Sequence, residues 1–251
     1  MCLVGVALNV NAAYPLVVVA NRDESHARAT APAARWEDAA DIVGGRDLES
    51  GGTWQGVSSS GRVGMVINYA GRPKRQVDMR SRGELVHDWL EGGVDAVTFI
   101  AQLRKRELEY AGFCLIIGSA EELMMIESAP AIGFRVAQVP TGVSAYSNSP
   151  LGPPWPKVEF LRSQFAERVS ATDLDMTELL DLLATRGPVH RDSVRDASDM
   201  PTVASQPFVL GQDYGTRSSS VLTCSSIGSV RYMERSYDAA GGVTEERSLL
   251  V

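Results

Sequence analysis

The sequence predicts an α+β fold in which two β-sheets are packed between helical layers. The predicted elements occur as strands, two helices, strands, two helices and strands again, and no repeat or linker divides the 251 residues. The first two apolar segments are continuous rather than alternating, which is typical of strands buried on both faces. A hydrophobic content of 44% with 22% charged residues is ordinary for a globular protein. We therefore expect a single domain that spans residues 1–251.

The first half of the chain is predicted to be mostly β-structure. Strands are expected over residues 2–10 and 15–21, a polar, Ala-rich surface loop over 25–50, and a hairpin of two strands over 53–58 and 62–69. Ser81 and Glu84 have the spacing of a capping box, which predicts a helix through Leu90. A second helix is expected from Val94 to Glu109, where apolar residues recur with helical periodicity.

The second half repeats the alternation of strands and helices. Strands are predicted over residues 112–118, 122–127, 133–138 and 142–147, helices over 157–168 and 177–185, a loop over 187–212, and strands over 218–224, 230–237 and 243–250. The four prolines between Pro150 and Pro156 separate the fourth of these strands from the first helix. This order completes the predicted α+β pattern.

Charge and cysteine usage exclude several classes of function. A net charge of -7 disfavours binding to nucleic acid or to anionic membranes, because both need a basic surface. No apolar run is long enough for a membrane span, and no signal peptide is recognised. The three cysteines form no CxxC pair and the three histidines lack ligand spacing, so neither a disulfide framework nor a metal site is expected. We expect a cytoplasmic protein without nucleic-acid partners; the sequence gives no oligomeric state.

Cys2 is the candidate nucleophile. A small residue at position 2 allows an aminopeptidase to remove Met1, which would leave Cys2 with a free α-amine. An α-amine has a pKa of about 7.7–8.0 and a thiol about 8.5, so one residue would supply both a base and a nucleophile. The alternative is that Cys2 is a small buried residue at the start of a strand. Cys114 and Cys224 lie inside apolar segments and are predicted to be core residues.

Charged and amide side chains follow or precede several predicted strands, where they could complete a site around Cys2. An arginine would lower the pKa of the thiol, an aspartate would orient the amine, and asparagine amides would stabilise an oxyanion. The candidates are Arg22, Asp23, Asn68, Asn148 and Arg217. Alternatives stay open for each of them: a structural ion pair for Arg22 with Asp23, turn stabilisation for both asparagines, and a surface position for Arg217.

Several motifs resemble the NRDE family, which is also called transport and Golgi organisation protein 2. The segments that carry the resemblance are Met1-Cys2, Ala20-Asn21-Arg22-Asp23-Glu24, Gly51-Gly52-Thr53-Trp54, Asn68-Tyr69, Arg82-Gly83-Glu84-Leu85-Val86, Ser147-Asn148 with Trp155 and Lys157, and Tyr214-Gly215-Thr216-Arg217. They cover nearly the whole chain. The family is associated with secretory-pathway organisation, mitochondrial lipid metabolism and haem trafficking.

That family in turn resembles the choloylglycine hydrolase and penicillin V acylase branch of N-terminal-nucleophile hydrolases. The resemblance implies a four-layer αββα sandwich and a catalytic set of Cys2, an Arg and an Asp near the end of the second strand, two Asn and a late Arg. Those hydrolases place the Arg three residues before the Asp, whereas Arg22 and Asp23 are adjacent here. Either Asp23 or Glu24 could therefore face Cys2, because neighbours on a strand point to opposite sides.

The resemblance implies an amidohydrolase that cleaves a linear amide of a small hydrophobic acyl compound and requires no cofactor. Substrate contacts are expected from Asn21, Glu24, Trp54 and Tyr69, although Trp54 could instead be a packing residue beside the site. The alternative function is a non-catalytic carrier or chaperone that holds haem or an acyl lipid in the same cleft. A scaffold protein in membrane organisation is the third hypothesis.

Overall fold

The computed structural model describes residues 2–69, 79–148, 154–171, 173–187 and 204–251. In chain order the strands and helices are β1 (Cys2–Leu8), β2 (Leu16–Ser25), β3 (Thr30–Arg35), β4 (Ile42–Asp47), β5 (Gln55–Ser58), β6 (Val63–Asn68), α1 (Arg82–Glu91), α2 (Ala96–Arg106), β7 (Phe113–Gly118), β8 (Leu123–Ala129), β9 (Gly133–Gln138), β10 (Gly142–Ser147), α3 (Pro156–Val169), α4 (Met176–Leu183), β11 (Tyr214–Cys224), β12 (Val230–Tyr237) and β13 (Val243–Leu250). A short 3₁₀ helix, Glu107–Glu109, follows α2. None of the helices in these ranges is long and apolar enough to cross a membrane.

The chain forms two compact units, and the first combines both ends of the sequence. It contains the residues up to Ala27 together with Pro140–Leu250. Its six-stranded sheet has the order β10-β1-β2-β11-β12-β13, and every neighbouring pair is antiparallel. All seven residues of β1 and the first eight of β2 are buried. The prediction that these strands are buried on both faces is therefore confirmed.

Helices α3 and α4 pack on one face of this sheet. Leu3, Val19 and Val221 of the sheet form one apolar cluster with Leu161 and Phe165 of α3. Alternation along β1 places Gly5 on the same face as Leu3. A Cβ at Gly5 would lie 3.0 Å from the Phe165 ring, so a glycine there allows the helix to approach the strand closely.

The second unit, Arg28–Val139, contains a seven-stranded antiparallel sheet with the order β3-β4-β5-β6-β7-β8-β9. Trp89 of α1 fixes the helix to the sheet, because its Nε1–H donates to the Val63 carbonyl over 2.9 Å. Its ring packs edge-to-face on Phe99 of α2, with 5.5 Å between the ring centroids. The helices of this unit therefore share one apolar cluster with its central strands.

The structure explains two glycines of the family motifs by a close backbone contact. A Cβ on Gly52 would lie 2.4 Å from the carbonyl carbon of Gly83, a separation that real side chains do not reach. The Thr53 N–H also donates to the Gly83 carbonyl over 3.2 Å. The Gly51-Gly52-Thr53 segment and the start of α1 therefore meet backbone to backbone: a side chain at Gly52 would force this contact apart, and a Cβ at Gly83 would lie 3.0 Å from the Thr53 carbonyl oxygen.

Two local predictions were wrong. The surface loop expected over 25–50 contains β3 and β4, which were missed because their Ala and Gly residues give no readable alternation. Trp36 is buried between the two strands and donates to the Gly44 carbonyl over 3.0 Å. Ser81 does precede α1, but its side chain makes no capping hydrogen bond. Glu84 binds Arg80 instead, whose Nε donates to it over 2.9 Å.

The remaining predicted strands and helices within the described residues are confirmed, with shifts of a few residues at their ends. β11 begins four residues earlier than predicted, at Tyr214 rather than Ser218. Residues 188–203 of the predicted loop over 187–212, including His190, lie outside the described residues. Cys114 and Cys224 are buried in β7 and β11, which confirms them as core residues.

Candidate active site

Cys2 is the first residue of β1, which lies between β10 and β2 in the sheet of the first unit. Its exposed fraction is 8%, and the antiparallel register places it opposite Arg22 of β2. Burial raises the pKa of the Cys2 thiol, and the positive charge of Arg22 opposes that rise. Directly opposed residues of an antiparallel pair extend to the same side of the sheet. Cys2 and the buried Arg22 therefore share one face.

Asn148 reaches the backbone nitrogen of Cys2 from the strand on the other side. β10 pairs with β1 so that Ser147 lies opposite Leu3, which brings the next residue, Asn148, beside Cys2. The Cys2 N–H donates to Asn148 Oδ1 over 3.0 Å, and the Ser147 hydroxyl donates to the Cys2 carbonyl over 2.8 Å. Ser147 and Asn148, at the end of β10, thus hold the backbone of Cys2 in place. Met1 lies outside the described residues.

Asp23 is fully buried and lies among polar groups of β11 and α3. Its Oδ1 accepts a hydrogen bond from the Thr216 hydroxyl over 2.7 Å, and its backbone carbonyl accepts one from the Tyr214 hydroxyl over 2.7 Å. Its Oδ2 lies 3.7 Å from Lys157 Nζ. Burial raises the pKa of the Asp23 carboxyl, and the Lys157 charge opposes that effect.

Geometry and charge give different answers to the question of whether Asp23 or Glu24 is the carboxylate that faces Cys2. Alternation along β2 places Glu24 on the same face as Arg22, and Asp23 on the face that carries α3. The negative charges of both carboxylates raise the pKa of Cys2, and the effect of Asp23 is the larger. Glu24 is partly exposed and accepts the Ser25 N–H over 2.8 Å.

Lys157 is a residue of this region for which the sequence patterns predict no role. It is the second residue of α3, which begins at Pro156, and its exposed fraction is 0%. Burial lowers the pKa of Lys157, while the charges of Asp23 and Cys2 act in the opposite direction. The only sequence signal was its place in the Trp155-Pro156-Lys157 segment of the family motif. Nothing in the residue type predicts burial, because lysines are almost always exposed.

Arg217 occupies a β-bulge beside the same cluster. Thr216 lies opposite Asp23 and Ser218 opposite Arg22, so Arg217 is the extra residue between them. Its Nη1 donates to the carbonyls of Ser25 and His26 over 3.0 and 3.1 Å. The predicted late arginine therefore lies in β11 and binds the backbone at the end of β2 and directly after it.

Asn21 uses both ends of its amide inside the protein. Its Nδ2 donates to the carbonyls of Leu183 and Pro207 over 2.8 and 2.9 Å, and its Oδ1 accepts from the Ser219 hydroxyl over 2.6 Å. The residue is buried, with an exposed fraction of 1%. It connects β2 to the end of α4, to the segment before β11 and to β11 itself. Its predicted contact with a substrate stays a prediction beside this structural role.

Three of the predicted site residues lie in the second unit. Asn68 is the last residue of β6, opposite Phe113, and Tyr69 follows it and donates its N–H to the Gly112 carbonyl over 3.1 Å. Trp54 precedes β5, and its carbonyl accepts the Val66 N–H over 2.8 Å. Their predicted roles stay predictions. The first unit by itself brings together Cys2, Arg22, Asp23 and Asn148, with Arg217 at the neighbouring bulge.

Comparison with known proteins identifies relatives of this chain. The family model described as Transport and Golgi organisation 2 matches residues 1–239. The Transport and Golgi organization 2 homolog of Mus musculus is 30% identical over 244 residues, which cover 89% of this chain and 87% of that protein. The homologue of Bos taurus is 31% identical over 241 residues, again covering 89% of this chain and 87% of the other.

Two solved structures show the fold class. The conjugated bile acid hydrolase of Clostridium perfringens has a TM-score of 0.54 and 11% identity, and the match covers 100% of this chain and 92% of that one. The Caenorhabditis elegans N-acylethanolamine-hydrolyzing acid amidase ortholog has a TM-score of 0.50 and 12% identity, with 88% and 92% covered. This likeness confirms the predicted fold class.

Proposed function

This chain belongs to the Transport and Golgi organisation 2 family, and we propose that it is an N-terminal-cysteine amidohydrolase that cleaves a linear amide of a small hydrophobic acyl compound. The observation that carries the proposal is the hydrogen bond of 3.0 Å from the Cys2 nitrogen to Asn148 Oδ1, next to a thiol that shares a face with Arg22. Any buried backbone N–H needs an acceptor, but a cysteine with only a packing role needs no buried arginine opposite it whose charge favours the thiolate.

Removal of Met1 would turn the Cys2 nitrogen into the α-amine and leave it next to Asn148 Oδ1. In the first step the amine takes the proton of the thiol, and the sulfur attacks the carbonyl carbon of the substrate. The Arg22 charge favours the thiolate. With its Oδ1 on the Cys2 nitrogen, Asn148 would stabilise the oxyanion through its Nδ2, and Asn68 is the predicted second donor.

In the second step the amine leaving group takes the proton from the α-ammonium as the carbon–nitrogen bond breaks. The acyl group then remains on Cys2 as a thioester. The α-amine next accepts a proton from water, which attacks the thioester carbon and releases the acid and the free thiol. No cofactor enters this sequence of steps.

The substrate class is proposed from the names of the structural relatives. One is a conjugated bile acid hydrolase and the other an N-acylethanolamine-hydrolyzing acid amidase. Both names describe a hydrolase, and the second describes an amidase of an N-acyl compound. We propose a compound of that general form for this chain, in the cytoplasm, without committing to an acyl length.

The test combines mass spectrometry with a substrate panel. Intact-mass analysis of the untreated protein should show that Met1 is absent. The protein is then incubated with N-acyl amino acids and N-acylethanolamines of graded acyl length, and amine release is measured together with the acyl mass on the Cys2 peptide after an acid quench. We expect both signals for at least one acyl length. Retention of Met1 would contradict the mechanism, because the α-amine would then belong to Met1.

Two variants separate chemistry from damage to the fold. Cys2→Ala should lose both amine release and the acyl adduct, whereas Cys224→Ala, which removes another buried thiol of the same unit, should keep them. The alternative function is a carrier of haem or of an acyl lipid. Saturable binding of either ligand that is equal in the wild type and in Cys2→Ala, without amine release, would favour the carrier.

A further inference from the structure

Lys157 stands out because it is a buried cation that the proposed mechanism does not use. Its exposed fraction is 0%, and its Nζ makes no hydrogen bond to any part of the chain that the structure describes. Lys157 Nζ lies 3.7 Å from Asp23 Oδ2, its ion-pair partner, and 5.7 Å from the centroid of the Trp155 ring. Burying an ammonium group is costly unless a counter-charge is beside it.

Asp23 is that counter-charge, and the two groups form a pair with no net charge. The pair is neutral whether the proton lies on the lysine or on the carboxyl, and burial favours the uncharged form of each partner. Other titratable or charged groups also act on this cluster and on Cys2. They are Arg22 and Glu24 of β2 and Tyr214 of β11.

We propose that Lys157 is a positioning residue that cancels the charge of Asp23 and thereby leaves the α-amine of mature Cys2 unprotonated near neutral pH. The inference rests on the proposed function, in which that amine is the base. Asp23 directly follows Arg22, the residue paired with Cys2, and its charge acts on Cys2, so an uncompensated carboxylate there would take the α-ammonium as its counter-charge. The amine would then hold its proton and could not accept the one from the thiol. Lys157 supplies the positive charge instead, so the amine stays available as a base.

The experiment follows the alkylation of Cys2 by iodoacetamide as a function of pH. The mature protein carries its purification tag at the C-terminus, and the modified Cys2 peptide is quantified by mass spectrometry between pH 5.5 and 9.5. We compare the wild type with Lys157→Met, with Asp23→Asn and with the double variant, which restores a neutral pair. Circular dichroism reports whether each variant is folded.

The proposal predicts three different pH profiles. In Lys157→Met the rise in alkylation should move up by about one pH unit, so that the rate at pH 7 falls roughly tenfold. In Asp23→Asn the remaining positive charge should move the rise to lower pH. The double variant should lie within about threefold of the wild type at pH 7, because the net charge of the pair is again zero. A residue with only a packing role would shift none of these profiles.

Two results would overturn the inference. One is a Lys157→Met profile that coincides with that of the wild type, and the other is a double-variant profile that coincides with that of Lys157→Met. If Lys157→Met does not fold, the comparison of Asp23→Asn with the double variant carries the same test, since the proposal requires their profiles to differ. Alkylation needs no amide substrate. Shifted profiles without turnover of any amide would therefore refute the proposed function alone, whereas turnover with unshifted profiles would refute the role of Lys157 alone.

Discussion

Replacing Asn21 with leucine tests whether the asparagine that begins the Asn-Arg-Asp-Glu segment stabilises the fold. The change keeps the approximate side-chain volume but removes three buried hydrogen bonds, those to the Leu183 and Pro207 carbonyls and that from the Ser219 hydroxyl. A buried hydrogen bond contributes about 1 kcal/mol net, so the loss should be about 3 kcal/mol of unfolding free energy. This is a large fraction of the roughly 5–15 kcal/mol that stabilises a typical domain.

The assay is urea unfolding at pH 7, followed by far-UV circular dichroism and extrapolated linearly to water. Ser219→Ala is the matched control: it removes one of the three hydrogen bonds and also the one that the Ser219 hydroxyl accepts from Tyr237, so it should cost about 2 kcal/mol. The double variant should cost about 1 kcal/mol more than Asn21→Leu alone, because the two changes share the Asn21–Ser219 hydrogen bond but not the one from Tyr237. A loss below about 1 kcal/mol for Asn21→Leu would refute the structural role of the amide.

Two further changes test other features of the fold. Gly52→Ala should destabilise the protein by roughly 2 kcal/mol or more, because its Cβ would meet the Gly83 carbonyl carbon at 2.4 Å. Gly51→Ala, where φ is +75° and space is open, should cost only about 1 kcal/mol in the same urea assay, and equal losses would contradict the contact. His87→Gln tests the ion pairs of His87 with Asp88 and Glu91, whose carboxylates raise the pKa of His87 and lie 3.7 Å from its Nδ1 and 3.6 Å from its Nε2. Protonated His87 should stabilise the fold below about pH 6.5 and lose that effect as the pH rises through its raised pKa. The difference in unfolding free energy between wild type and variant should therefore be larger at about pH 5.5 than at about pH 8. An equal or smaller difference at the lower pH would contradict these ion pairs.

Local patterns in the sequence were sufficient for most of the secondary structure. The continuous apolar runs of β1 and β2 need no distant information, because a strand covered on both faces must be apolar at every position. The hairpin of β5 and β6 is likewise a local feature that its turn residues mark. β3 and β4 were missed because their Ala and Gly residues carry no pattern, although each pairs with the strand next to it in the chain.

The sequence by itself determined which residue could be a nucleophile, since only position 2 can combine a thiol with a free α-amine. It also marked Arg22, Asp23 and Asn148 as residues near strand ends. Only the tertiary structure decided which atoms meet, because antiparallel register brings residues 2 and 148 together across 146 positions of the chain. The structure also decided the burial of Lys157. A lysine is exposed by default, and its burial against Asp23 depends on how α3 packs on the sheet, which no local pattern encodes.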